Sequence, residues 1–130
     1  MNIHTATKII LFILAATVAF HVLIVVKVIP YHIAWGGRLQ SDQDMYAFET
    51  VSILVNVFLA LVLCIKANYL KLNVPNKLIN FILWCFLILF LLNTIGNIIA
   101  VTAFEKSFAL VTLALAYLLW VILKPHKNLQ

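Results

Sequence analysis

Charge is what this sequence has least of. Lys, Arg, Asp and Glu together make up 10% of its 130 residues, against 65% for the apolar types. A soluble domain carries about 25% charged and about 45–50% apolar residues. A water-soluble core built from a chain this short has no room for the excess. Lipid is therefore the expected solvent for most of the chain, and one domain accounts for the length.

Other shortages exclude other chemistry. The two cysteines, Cys64 and Cys85, fall inside apolar runs, with no C-x-x-C and no zinc spacing, and read as small buried hydrophobes. The four acids, Asp42, Asp44, Glu49 and Glu105, stand in no EF-hand order, and no HExxH occurs, so no metal site is expected. Neither Ser41 nor Ser52 sits in a nucleophile motif, and nothing names a cofactor. The formal net charge is +5, but the basic residues lie at the ends of apolar runs without a recognition motif beside them. Nucleic acid is thus not an expected partner. Internal repeats and low-complexity stretches are absent as well.

What is present is long and apolar. A helix needs about 20 apolar residues to cross a bilayer, and four runs reach that length: 9–29, 46–65, 78–104 and 107–123. They lack the alternation of strands, and a helix satisfies its own backbone in lipid. The expectation is an all-α polytopic membrane protein. It is an antiparallel bundle of transmembrane helices over 8–29, 42–66, 75–104 and 107–123, in a single domain. The first stretch runs past signal-peptide length without a clean cleavage site and reads as a retained helix. Pro30 and Pro125 close runs, Ser41 with Asp44 reads as a capping box, Pro75 suits a first helical turn, and Ser107 is the expected cap of the last helix.

Lys and Arg then set direction. Lys8, Lys66, Lys71, Lys77, Lys124 and Lys127 fall on one side of a four-crossing path, and Lys27, Arg38 and Lys106 on the other. The positive-inside rule places both termini in the cytoplasm, with the protein in the cell (inner) membrane.

One long polar passage, YHIAWGGRLQSDQDMYAFE at residues 31–49, interrupts the oil. It reads as an outer lid between the first two helices. Polar groups within the runs lie beneath it. At about 1.5 Å of rise per residue, His21 falls about 12 Å below the end of its run and Asn56 about 10 Å below Glu49. Asn97 and Asn93 fall about 10 and 16 Å below Phe104. Helical spacing puts Thr17 with His21 on one face, Glu49, Ser52 and Asn56 on another, Asn93, Gly96, Asn97 and Ala100 on a third, and Ala109, Thr112 and Ala116 on a fourth. The opposite half is nearly featureless, so the pattern is a pocket closed below, not a pore.

The expected ligand-binding residues are His21, His32, Arg38, Glu49, Asn56, Asn93 and Asn97. Each has a plainer reading. The Asn side chains serve as glue between membrane helices, His21 as a satisfied core histidine, and Glu49 as a solvated helix-end carboxylate. Arg38 suits either a two-pronged grip on an anion or a pairing with Glu49 or Glu105. Tyr31, Trp35 and Tyr46 suit the interfacial aromatic belt. The expected function is binding, or transport, of a small polar or amphiphilic ligand such as a lipid headgroup. The partners are the lipid bilayer, that ligand, and a further copy of the chain or another membrane protein. Two alternatives stand beside it: a non-catalytic or protective subunit of a membrane complex, and a small membrane enzyme using His and Glu.

Overall fold

The structure is a computed structural model, and residues 1–124 of it are described; Pro125 and Lys127, counted above, lie outside them. Among the described residues there are four long helices and no strands: α1 Ile3–Val25, α2 Asp42–Lys66, α3 Asn76–Ile98 and α4 Ala103–Leu123. Two single 3-10 turns, Tyr31–Ile33 and Trp35–Gly37, fold the passage between α1 and α2. Each of the four helices is long and apolar enough to cross a membrane. Their outward faces carry Phe12, Leu54, Phe81, Ile88 and Leu110, all exposed. Large outward apolar patches are rare on soluble monomers, and four such helices mark a multi-pass membrane protein.

The helix ends follow local chemistry more closely than run length. Ser41 Oγ accepts the Asp44 N–H at 3.1 Å, the cap expected for α2. Helix α1 starts earlier than expected, at Ile3, because Asn2 Oδ1 accepts the Thr5 N–H at 2.8 Å. It also ends earlier, at Val25 and not near Ile29. Lys27 turns left-handed at φ 61°, its N–H bonding Ile24 O at 2.9 Å while Val28 N–H bonds Leu23 O at 2.9 Å. That pair of bonds is a Schellman stop. Asn68, at φ 60°, ends α2 in the same way. A glycine would have advertised the first stop; a lysine hides it.

The α3–α4 connection is corrected too. Helix α3 ends at Ile98, and α4 begins at Ala103, so "FEK" lies inside α4. Its cap is Thr102, whose Oγ1 accepts the Glu105 N–H at 3.1 Å and donates to Glu105 Oε2 at 2.8 Å. Ser107 instead sits within the helix and donates to Phe104 O at 2.6 Å. The unbroken apolar run through 98–104 concealed a T-x-x-E capping signature at Thr102.

Packing divides the helices into two pairs. Helix α3 lies most closely along α4 and α1 along α2, while α1 with α4 and α2 with α3 meet more sparingly. The core fills the half of the bundle remote from the 3-10 turns, where Ala6, Ile10, Leu14, Leu63, Leu83 and Leu119 are buried together. A smaller cluster of Ile24, Leu39 and Met45 packs under the turns with Phe20, Tyr31 and Trp35. Polar ties fix both ends. Lys66 Nζ donates to Asn80 Oδ1 at 2.7 Å near the α2–α3 link. Lys27 pairs with Asp42 near the start of α2, and this hydrogen bond raises the Lys27 pKa above its ordinary value. A raised lysine pKa adds stability below about pH 10, lost as the pH climbs through the folded value. The pair is exposed, so salt screens it.

The cap assignment has a direct test. Thr102→Ala is expected to cost about 1 kcal/mol of stability in a denaturant titration in detergent. Ser107→Ala should cost less than about 0.5 kcal/mol.

Candidate functional site

The site is built around Glu49. It stands two turns into α2, a position that sequence spacing alone leaves open to water, yet it is fully buried. A buried carboxylate is costly unless hydrogen bonds satisfy it. Glu49 has two such partners from different parts of the chain. Its Oε2 lies 2.5 Å from His21 Nδ1, on α1. Its Oε1 accepts the Trp35 indole N–H at 2.8 Å, from the second 3-10 turn. A carboxylate only accepts, so with Glu49 ionised Nδ1 carries the hydrogen and Nε2 is the nitrogen that Glu49 does not engage.

Trp35 makes the roof. Its backbone is left-handed at φ 59°, which is unfavourable for a bulky side chain. Residues held this way cost of order 1–3 kcal/mol and persist only where the surroundings fix them. Here the Glu49 bond and an edge-on contact with Phe48, at 5.1 Å between ring centres, fix the indole. Sequence reading assigned Trp35 to the interfacial aromatic belt; its bond to Glu49 was not part of that reading.

Beneath the roof is a cavity of about 490 Å³ lined by residues of all four helices. Ligand pockets run from about 300 to 1,000 Å³, so its size suits a small molecule. Its polar lining is Thr17 and His21 from α1, Ser52 and Asn56 from α2, Asn93 and Asn97 from α3, and Glu105 and Thr112 from α4. Its floor is apolar, at Phe86, Phe90 and Leu115, near the middle of the bundle. The lining faces arise from helical spacing: each polar residue lies three, four or seven positions from a lining neighbour on the same helix. Some of these groups also serve the fold. Asn56 Nδ2 donates to Ser52 O at 2.7 Å. The Thr112 and Thr94 hydroxyls meet at 2.8 Å between α4 and α3.

Of the residues singled out from sequence, His21, Asn56, Asn93 and Asn97 share the lining. Glu49 sits behind His21, holding it, and is not itself in the lining. His32 and Arg38 are exposed on the 3-10 turns, outside the lining. Glu49 is engaged by His21 and Trp35, and among the described residues no Lys or Arg lines the cavity, so Arg38 is not placed with the other lining residues. The early end of α3 brings Asn97 and Asn93 nearer the roof than run length implied. Trp35, Glu105 and the rings of Phe20, Phe104 and Phe108 are lining residues that the sequence did not reveal. For Glu105 the overlooked signal is the T-x-x-E pattern that sets its turn.

Comparison with known proteins finds no matching family model, no matching curated protein and no matching solved structure.

Removing the carboxylate should loosen the roof. Glu49→Leu strands the His21 Nδ1–H and the Trp35 N–H, each costing about 1–3 kcal/mol. In a Trp84→Phe/Trp120→Phe background, where Trp35 is the one remaining indole, its emission should shift to the red. Glu49→Gln, which keeps an acceptor for Trp35, should shift it less.

Proposed function

We propose that this is an integral membrane protein whose four helices cross the bilayer antiparallel, and that it binds a small amphiphilic ligand in the roofed cavity. The observation that carries the reading is the convergence of polar groups from all four helices on one cavity of about 490 Å³, over a solid apolar half. Polar groups within membrane spans are costly and usually face a cavity or a bundle interior. His21, Asn56, Asn93 and Asn97 fit that rule together, which packing of any one pair does not require. The lysines support the orientation. Lys8, Lys66, Lys71 and Lys77 cluster near the end remote from the roof, which supports a cytoplasmic side for that end and the termini, in the cell membrane. The roof then faces outward.

A second reading is favoured by one feature of the same site. A buried carboxylate holding by Nδ1 the imidazole of a histidine that lines a cavity is the arrangement of an oriented general base. In this reading His21 exchanges a proton with the bound molecule and Glu49 is the positioning residue. The docking-subunit alternative has less support: Trp35, which a docking face would present outward, is turned onto Glu49.

Two experiments test these readings. Native mass spectrometry after gentle extraction should show a retained small molecule and report the number of chains. Asn97→Leu should weaken its retention about three- to tenfold, the worth of about one hydrogen bond, with the helical content unchanged. Retention identical to the unmodified protein would remove the cavity from the binding site. For orientation, a cysteine placed at Gln40, in a Cys64→Ala/Cys85→Ala background, should react with an impermeant thiol reagent on intact cells. Reaction only after permeabilisation would invert the topology.

A further inference from the structure

The polar cavity has a neighbour on its α1–α4 side. Beyond Phe20 a second hollow of about 870 Å³ opens between α1, α4 and the chain at Val28 to Ile33. Apart from Thr17 its lining is entirely apolar, and the Thr17 hydroxyl is spent on Ile13 O at 2.9 Å. Thr17, Phe20, Phe104, Phe108 and Val111 line both hollows. The partition between them is therefore made largely of three rings. Phe20 lies 5.8 Å from Phe104 and 5.4 Å from Phe108, and Phe104 lies 5.2 Å from Phe108, centre to centre. Phe20 also meets His21 edge-on at 5.7 Å, so the partition abuts the polar anchor. No hydrogen bond locks a phenylalanine ring, and side chains of this kind change rotamer without moving the backbone.

We propose that the two hollows are one site for a single-chain amphiphile. Its head lies in the polar cavity beside His21 and Asn97. Its hydrocarbon tail lies in the α1–α4 groove, and the chain passes the Phe20–Phe104–Phe108 partition. This rests on the reading above that the polar cavity binds an amphiphile. The head is uncharged and bears hydroxyl or carbonyl oxygens: among the described residues the lining supplies imidazole, amide and hydroxyl groups and no Lys or Arg to hold an anion, and the Glu105 carboxylate is already engaged by the Thr102 hydroxyl. The tail gains little by leaving lipid for the groove, since lipid tails are as apolar as the groove wall. Hydrogen bonds to the head, made in a low-dielectric setting, carry the selectivity. The ligand thus arrives sideways from the bilayer and never crosses the roof that Glu49 holds shut.

The test uses the full chain in phosphatidylcholine nanodiscs and a monoacylglycerol probe with a mid-chain diazirine and a click handle. Labelled peptides are mapped by mass spectrometry. The expected result is saturable labelling at Ile13, Ala16, Leu110 or Ala114, removed by excess monoolein and not by equal oleate or sphingosine. Phe108→Trp, which crowds the partition, should lower this labelling at least fivefold. Ala16→Phe, which fills the groove without touching the partition, should do the same, so misfolding of one variant leaves the other to decide. Saturable labelling at Val55 or Leu89 with the groove unlabelled overturns the tail route while the cavity reading stands. Competition by oleate or sphingosine as strong as by monoolein overturns the uncharged head. Unsaturable labelling, equal at outward residues such as Leu54 and Ile88, overturns both the route and the cavity reading.

Discussion

Everything on the roofed side of the molecule depends on one buried carboxylate. Glu49 is fully buried, and its two oxygens are met by groups from α1 and from the second 3-10 turn. In a low-dielectric interior such a charge is tolerable only while its partners stay in place. The arrangement is therefore mutual. Glu49 holds the Trp35 indole in a left-handed backbone that it would otherwise leave, and Trp35 with His21 shields Glu49 from the cost of burial. The roof and the cavity anchor are held by the same pair of oxygens.

Away from that point the bundle is held by shape. The remote half is a contiguous cluster of Leu, Ile, Val and Phe. If lipid surrounds it, burying those side chains brings no solvent advantage, and close contact and a few interhelical bonds must hold the helices together. The Thr94–Thr112 and Lys66–Asn80 contacts are such bonds, one near the middle of the bundle and one near its cytoplasmic end in the proposed orientation. Asn56, Asn93 and Asn97 border the cavity, and Thr112 borders it too while bonding Thr94.

The four helices were legible in the sequence because apolar length is a strong and local signal. Their ends were legible only where a capping side chain announced itself. Ser41 did so. Lys27 did not, since its left-handed turn is written in a residue that normally avoids that conformation. Thr102 did so, but inside an apolar stretch that drowned it. The cavity was legible as a shared depth of His21, Asn56, Asn93 and Asn97. Its roof was not: the bond between Trp35 and Glu49 joins residues whose meeting depends on the path of the turns between α1 and α2, and no periodicity reports that path. Arg38 entered as a guanidinium able to grip an anion and His32 as an imidazole in the same passage, and both are exposed outside the cavity lining.

The pairing of α1 with α2 and of α3 with α4 bears on what the cavity can hold. Its walls belong to two units that are each well packed and that touch one another sparingly along α2 and α3. Its width is then a distance between two bodies, not a property of either. A displacement of one pair against the other changes the cavity volume without breaking a hydrogen bond inside a pair: Glu49, His21 and Trp35 travel together, and so do Thr94 and Thr112. In the proposed function, the Glu49–His21 part of the head's anchor lies within the α1–α2 unit, while the width open to the ligand is set by the looser seam between the pairs.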